Sequence, residues 1–164
     1  PEAVDWLGAK AQIDAAQAAG VRHFVFVSSM GGTQPGNFLN TMGNGNILLW
    51  KRKAEEYLIN SGLTYTIVHP GGLTLDEGGQ RELLMGVDDA LIGPDMPRTR
   101  RRIPRADVAE VCVQSLLLPG ARNRSIDIAS KEPGEGEPTT DFAKLFADMP
   151  NNCDYSITDL PATM

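Results

Sequence analysis

The chain has 164 residues and a formal net charge of −6, with 41% hydrophobic and 22% charged residues. That length and composition suit one globular domain of ordinary size. The acidic balance excludes general nucleic-acid binding and attraction to an anionic membrane surface, and no apolar run approaches the ~18 residues of a membrane-crossing helix.

In chain order, Val4 to Ala19 is an expected helix, with Val4, Leu7, Ala11, Ala15 and Ala18 along one side and Gly20 as its left-handed stop. Phe24-Val25-Phe26-Val27 is a short continuous apolar run, the pattern of a parallel strand buried on both faces, and Ser28-Ser29 leave it in a small-residue turn. Residues 33–46 carry too many glycines and prolines for a regular period. Asn44 or Asn46 is placed to cap the next helix, Ile47 to Asn60, which Ser61-Gly62 ends. Tyr65 to Val68 is a second buried strand, and the helix between the strands fits a right-handed parallel crossover.

Further on, Arg81 to Met85 and Thr99 to Ile103 are expected short strands. A helix starts near Ile103-Pro104, with Asp107 in its first turn and Val108, Val111, Cys112, Ser115 and Leu116 as its apolar face. Ser125 to Ala129 is a third buried strand, and Thr140 caps a last helix, Asp141 to Met149, with Phe142, Leu145 and Phe146 inward. Residues 151–164 read as a surface tail behind one domain over 1–150.

Three groups carry candidate chemistry. Ser28 and Ser29 sit at a strand's carboxyl end, where open parallel sheets bind ligands, and either hold a ligand or satisfy their own turn. Lys51 is either a fixed cation near a cofactor or a solvated helix lysine paired with Glu55. Pro70-Gly71-Gly72 either admits a ligand close to the backbone or makes a tight turn. The run Arg98, Arg100, Arg101, Arg102 and Arg105 reads as an anion contact or as a charge-protected edge strand. His69 precedes the glycine turn. Cys112 and Cys153 lack metal-ligand spacing and read as free thiols, so no metal site is expected.

The ordered set VRHFVFVSS, Lys51-x-x-x-Glu55-Glu56-Tyr57-Leu58, SGLTYTIVHPGGL and Pro104-Arg105-Ala106-Asp107-Val108-Ala109 closely resembles the atypical short-chain dehydrogenase/reductase family, in particular plant and algal NAD(P)-binding proteins related to the chloroplast translocon component Tic62. The resemblance implies an α/β fold, a Rossmann-like doubly wound parallel sheet that binds NADP or NAD, with NADP favoured. It implies that Ser29 matches the catalytic serine and Lys51 the lysine of Y-x-x-x-K. Ser28 stands beside that serine, and His69, Pro70, Gly71, Gly72 and Leu73 match the turn along the nicotinamide.

Two departures shape the functional reading. Ile47 stands four residues before Lys51, where active members carry tyrosine, so the usual proton donor is missing and His69 becomes a candidate acid. The glycine-rich first turn, G-x-x-G-x-x-G, does not occur, so the chain reads as the carboxyl-terminal part of the domain, its amino-terminal strands either belonging to a longer chain or supplied by a missing half with which it pairs. The expected function is an NAD(P)H-dependent oxidoreductase with impaired Tyr-Lys chemistry. The alternative is a non-catalytic NADP(H)-sensing or structural subunit of a larger assembly. The resemblance implies a chloroplast stroma location, with the cytoplasm as the alternative; charge and hydropathy lead to the expectation of neither a nucleic-acid partner nor a membrane span.

Overall fold

The computed structural model describes residues 1–43 and 45–157. Helix α1 (Ala9–Ala18) continues from a π-helical turn over Glu2–Gly8. Strand β1 (Phe24–Val27), helix α2 (Ile47–Ile59) and strand β2 (Tyr65–Pro70) follow. Three short strands, β3 (Gly72–Thr74), β4 (Leu83–Gly86) and β5 (Arg102–Pro104), precede helix α3 (Arg105–Leu117). Strand β6 (Arg124–Ser130) and helix α4 (Phe142–Asp148) complete the order.

The strands lie in the order β1-β2-β6-β5-β3, with β4 antiparallel on β6. β1, β2 and β6 run parallel, so their carboxyl ends open on one edge. Side chains alternate across this sheet. Ile67 packs with Ile13 of α1 and Leu58 of α2, whereas its neighbour Val68 packs with Val108, Val111, Ile126 and Phe146 on the opposite face. Helices therefore cover both faces, which explains why β1 and β2 begin as near-continuous apolar runs. This is the expected Rossmann-like doubly wound arrangement. Among the described residues β1 is paired on one side only, by β2, and Val27 is 46% exposed.

Several expectations are corrected. The buried side of α1 is Ala9 and Ile13; Val4, Leu7, Ala11, Ala15 and Ala18 all face outward. The helix is so rich in alanine that more than one stripe keeps the helical spacing, and Ile13, the large apolar residue, decides the phase. The stop is as expected: Gly20 has a φ of 66°. Asn44 lies outside the described residues. Asn46 holds the N-cap position of α2 with a φ of 63°, but the acceptor that caps the helix is Asn40 Oδ1, which takes the Leu48 N–H at 2.9 Å. Around α3, Leu116 is exposed, and at α4 the capping side chain is Asp141, not Thr140. The strand expected over Thr99 to Ile103 is a 3-10 turn over Arg98–Arg101 followed by the shorter β5.

In the described part of the tail, residues 151, 152, 154, 156 and 157 are exposed, while Cys153 is buried and its N–H donates to the Ser125 carbonyl at 3.1 Å. Asn152 Oδ1 accepts from Arg124 Nε and from the Ser125 N–H. Residues 158–164 lie outside the described residues.

Candidate functional site

The strand register builds the polar centre. His69 of β2 stands opposite Asp127 of β6 on adjacent parallel strands, and the Ser28 N–H donates to the Val68 carbonyl at 2.8 Å. Ser28, His69 and Asp127 thus form one row across the carboxyl ends of three strands. Helix α2 lowers Glu55 onto that row. Glu55 accepts hydrogen bonds from Ser28 Oγ, from His69 Nε2 at 3.1 Å and from the Tyr155 hydroxyl at 3.0 Å. His69 Nδ1 donates to Asp127 Oδ1 at 3.0 Å, and Cys153 Sγ lies 3.7 Å from the same nitrogen. Asp127 Oδ2 accepts the Asp89 N–H at 2.7 Å, and Asp89 in turn accepts the N–H groups of Gly31 and Thr33.

Arg52 completes the network. It is 2% exposed, stacks 3.7 Å above the Tyr155 ring, and donates to the Asp154 carbonyl at 2.8 Å. Its Nη1 lies 3.8 Å from Glu55. Burial alone lowers the pKa of His69, but the Glu55 charge and the Asp127 hydrogen bond outweigh it and hold the imidazole well above its ordinary 6.5. Burial raises Glu55, yet the His69 charge and the hydrogen bonds from His69 and Ser28 bring it below 4.5. The pair is therefore an imidazolium between two carboxylates, its N–H protons spent on both. Burial, then the Glu55 charge, push the Tyr155 hydroxyl far above its ordinary 10.0.

Two spaces open at this sheet edge, and Ser29 lines both. The first is a cavity of about 10 Å³ against Glu55, His69 and Asp127, room for about one water molecule. The second is a cleft of about 650 Å³ that brings Ser29 together with Pro70, Gly71 and Gly72. Met30, Phe38, Leu39 and Ile92 form apolar walls, and Arg98 and Arg101 line the same cleft. Gly71 has a structural reason to lack a side chain: a Cβ there would overlap the Arg101 carbonyl oxygen and come within 2.9 Å of Met30 Cε. Arg101 is itself tied down, donating to the carbonyls of Gly93 and Met96 at 2.7 and 2.8 Å.

The residues singled out from the sequence therefore divide. Ser29, Pro70, Gly71 and Gly72 meet in the large cleft. Ser29 Oγ donates to the Met30 carbonyl at 3.0 Å. Ser28 and His69 belong to the buried ionic row. Leu73 is 41% exposed and lies in β3, outside the residues lining the cleft. Lys51 lines neither space; its Nζ pairs with Asp5 Oδ1 at 2.9 Å, joining α2 to the first helical turn, and Glu55 is occupied elsewhere. Ile47 is half-buried at the first turn of α2.

The sequence gives no site role to Arg52, Glu55, Asp89, Asp127, Cys153 and Tyr155. One signal was available. A charged residue between the apolar neighbours Ile126 and Ile128, in a strand buried on both faces, needs a buried partner. His69, beside Val68 in the neighbouring strand, was the candidate.

Residues 2–119 match the family model for NAD(P)H-binding proteins. The chain belongs to that family, within the atypical short-chain dehydrogenases/reductases and close to Tic62. It is 56% identical over 149 residues to an uncharacterized chloroplastic protein of Arabidopsis thaliana, covering 91% of this chain and 45% of that one. It is 54% identical over 149 residues to the sanguinarine reductase of Eschscholzia californica, covering 91% of this chain and 53% of the reductase. The chloroplastic protein TIC 62 of Arabidopsis thaliana is 33% identical over 164 residues, covering 94% of this chain and 23% of its own length. Among solved structures, a candidate NAD-dependent epimerase/dehydratase from Bacillus halodurans superposes with a TM-score of 0.62 at 27% identity, covering 88% of this chain and 60% of that one. The chain spans about half the length of the first two curated relatives.

Proposed function

We propose that residues 1–150 form the carboxyl-terminal part of a Rossmann-like domain and supply the nicotinamide- and substrate-facing side of an NAD(P)H-dependent oxidoreductase. One observation carries this reading: Ser29 and the Pro70-Gly71-Gly72 backbone share one cleft at the carboxyl ends of β1 and β2. That is where an open parallel sheet binds its ligand. The residues present fit the nicotinamide end of the cofactor. The cleft has room for a ring and a small substrate, its glycine backbone offers a surface without side chains, and Ser29 Oγ, its own proton given to Met30, keeps lone pairs for an amide or hydroxyl donor. NADP is favoured over NAD by the family resemblance alone.

A bound NAD(P)H would supply hydride. Within this chain, the walls Met30, Leu39 and Ile92 would exclude water, and Ser29 Oγ would accept from the N–H of the nicotinamide carboxamide. Among the described residues lining the cleft, none is a strong acid placed to protonate the product. Ile47 carries no ionisable group, and His69 is enclosed between Glu55 and Asp127 rather than turned to the cleft. Slow turnover is therefore the expectation. The test is titration of the full-length protein with NADPH and NADH, followed by turnover on a panel of aldehydes, ketones and quinones. Binding with weak turnover supports the reading; no binding to either nucleotide overturns it.

The second reading is a non-catalytic NADP(H)-sensing or structural subunit of a larger assembly. Ile47 at the tyrosine position and the engagement of Lys51 by Asp5 favour it. Binding without turnover across the panel would select it. The chloroplast stroma is the proposed location, supported by the chloroplastic names of similar plant proteins. No helix among the described residues is long and apolar enough to cross a membrane.

A further inference from the structure

The large cleft carries a charge pattern that its host does not. The chain has 21 acidic and 15 basic residues, yet among the described residues no acidic side chain lines this cleft and two arginines do. Their situations differ. The Arg101 guanidinium is consumed by two backbone carbonyls. Arg98 stands exposed in the same 3-10 turn and, among the described residues, has no hydrogen bond or ion pair. Its neighbour Arg100 is paired with Glu135 at 3.1 Å, so the turn does offer its arginines carboxylate partners.

Phe38 also lines the cleft and is 70% exposed, an aromatic ring left largely in water. Gly71 and Gly72, which line it too, present backbone without side chains. A ring and a bare backbone favour a flat body, and an uncommitted guanidinium favours an anion.

We infer that this cleft takes a flat, apolar substrate bearing a carboxylate, with Arg98 as the specificity-determining residue that meets the carboxylate and Phe38 as the stacking surface. The inference rests on the reading of the cleft as the substrate side and narrows it to a chemical class. The fork of the guanidinium donates to both oxygens of a carboxylate, which makes arginine more selective here than lysine. Because Arg98 is exposed, its contribution is that of a partly screened pair, about fivefold in affinity.

The probes are 2-naphthoate and 2-naphthamide, matched in shape and different in charge, each titrated into the protein with amide chemical shifts as readout. The expected result is naphthoate binding about fivefold tighter, with shifts at Ser29, Phe38 and Gly72. In Arg98→Gln the two probes should bind alike, and in Arg98→Glu the order should reverse. Phe38→Ala should weaken both. The exposure of Arg98 makes these variants safe for folding, and unchanged thermal midpoints would verify it. Equal affinity for the two probes in the unaltered protein overturns the inference. So does naphthoate binding that shifts His23 and Thr64 instead, beside the second arginine-bearing cavity of Arg22 and Arg122. An NADPH titration on the same samples separates this claim from the one it rests on. NADPH binding without charge preference defeats only the anion, and charge preference without NADPH binding defeats only the oxidoreductase.

Discussion

His69 and Glu55 meet at 3.1 Å inside the protein, one from the carboxyl end of β2 and the other from the middle of α2, each nearly sealed from solvent. With Asp127 on the other side of the ring, the contact fixes how α2 sits on the sheet. It thereby sets the wall against which the Ser29 turn is built, since Ser28 donates to the same Glu55 carboxylate.

Removing the ring should cost more than removing an ordinary contact. His69→Ala leaves two buried carboxylates facing a void, and breaking a buried pair costs roughly 3–5 kcal/mol. Chemical denaturation is the measurement. A loss near zero would mean the network is wetter than its burial implies.

The same pair sets the pH dependence of stability. His69 has its folded pKa raised, so its contribution is full below the ordinary 6.5 and fades as pH rises through the higher folded value. Glu55 has its folded pKa lowered, so its contribution is full above the ordinary 4.5 and fades as pH falls through the lower folded value. Thermal midpoints should therefore form a plateau between these limits and fall on both sides. In His69→Gln the alkaline fall should shrink, and an unchanged alkaline limb would contradict the assignment.

How much of this was legible in the sequence depends on the kind of force. Apolar runs mark strands directly, so β1, β2 and β6 could be read from residues such as Phe24, Ile67 and Ile126. The stop at Gly20 was legible because backbone conformation is a local property. The burial of Asp127 between Ile126 and Ile128 is signalled by its strand, but that of Glu55 and Arg52 is not, because a charge on a helix is buried only when a distant partner arrives, and register is invisible in one dimension. Tyr155 was missed for a related reason: its segment has no period, and it is held by Ser125 and Glu55, far off in sequence.

Tyr155 gives a direct check on how the tail is anchored. Tyr155→Phe removes hydrogen bonds to Glu55 and Ser125 while keeping the ring beneath Arg52. Loss of buried hydrogen bonds of this type costs roughly 1–3 kcal/mol. A surface tail would give no change in the unfolding midpoint.

Gly71→Ala tests the close approach at the cleft floor. Its methyl group would collide with the Arg101 carbonyl and Met30. Overpacking of this kind costs about 1–3 kcal/mol, and the displaced Arg98–Arg101 turn should weaken NADPH binding as well. Wild-type stability and affinity in this variant would show that the contact yields freely.

Lys51→Met separates the pairing seen with Asp5 from a role at a cofactor ribose. A partly exposed ion pair is worth up to about 1 kcal/mol, so a small stability loss with NADPH affinity intact is the expected outcome. A large loss of NADPH binding would assign the lysine to the cofactor.

The most direct test of the account is NADPH titration of the full-length protein, followed by the amide signals of Ser29, Gly71 and Gly72. The account predicts saturable shifts at these three residues together. Saturable binding that leaves all three unmoved, or no binding, would contradict it.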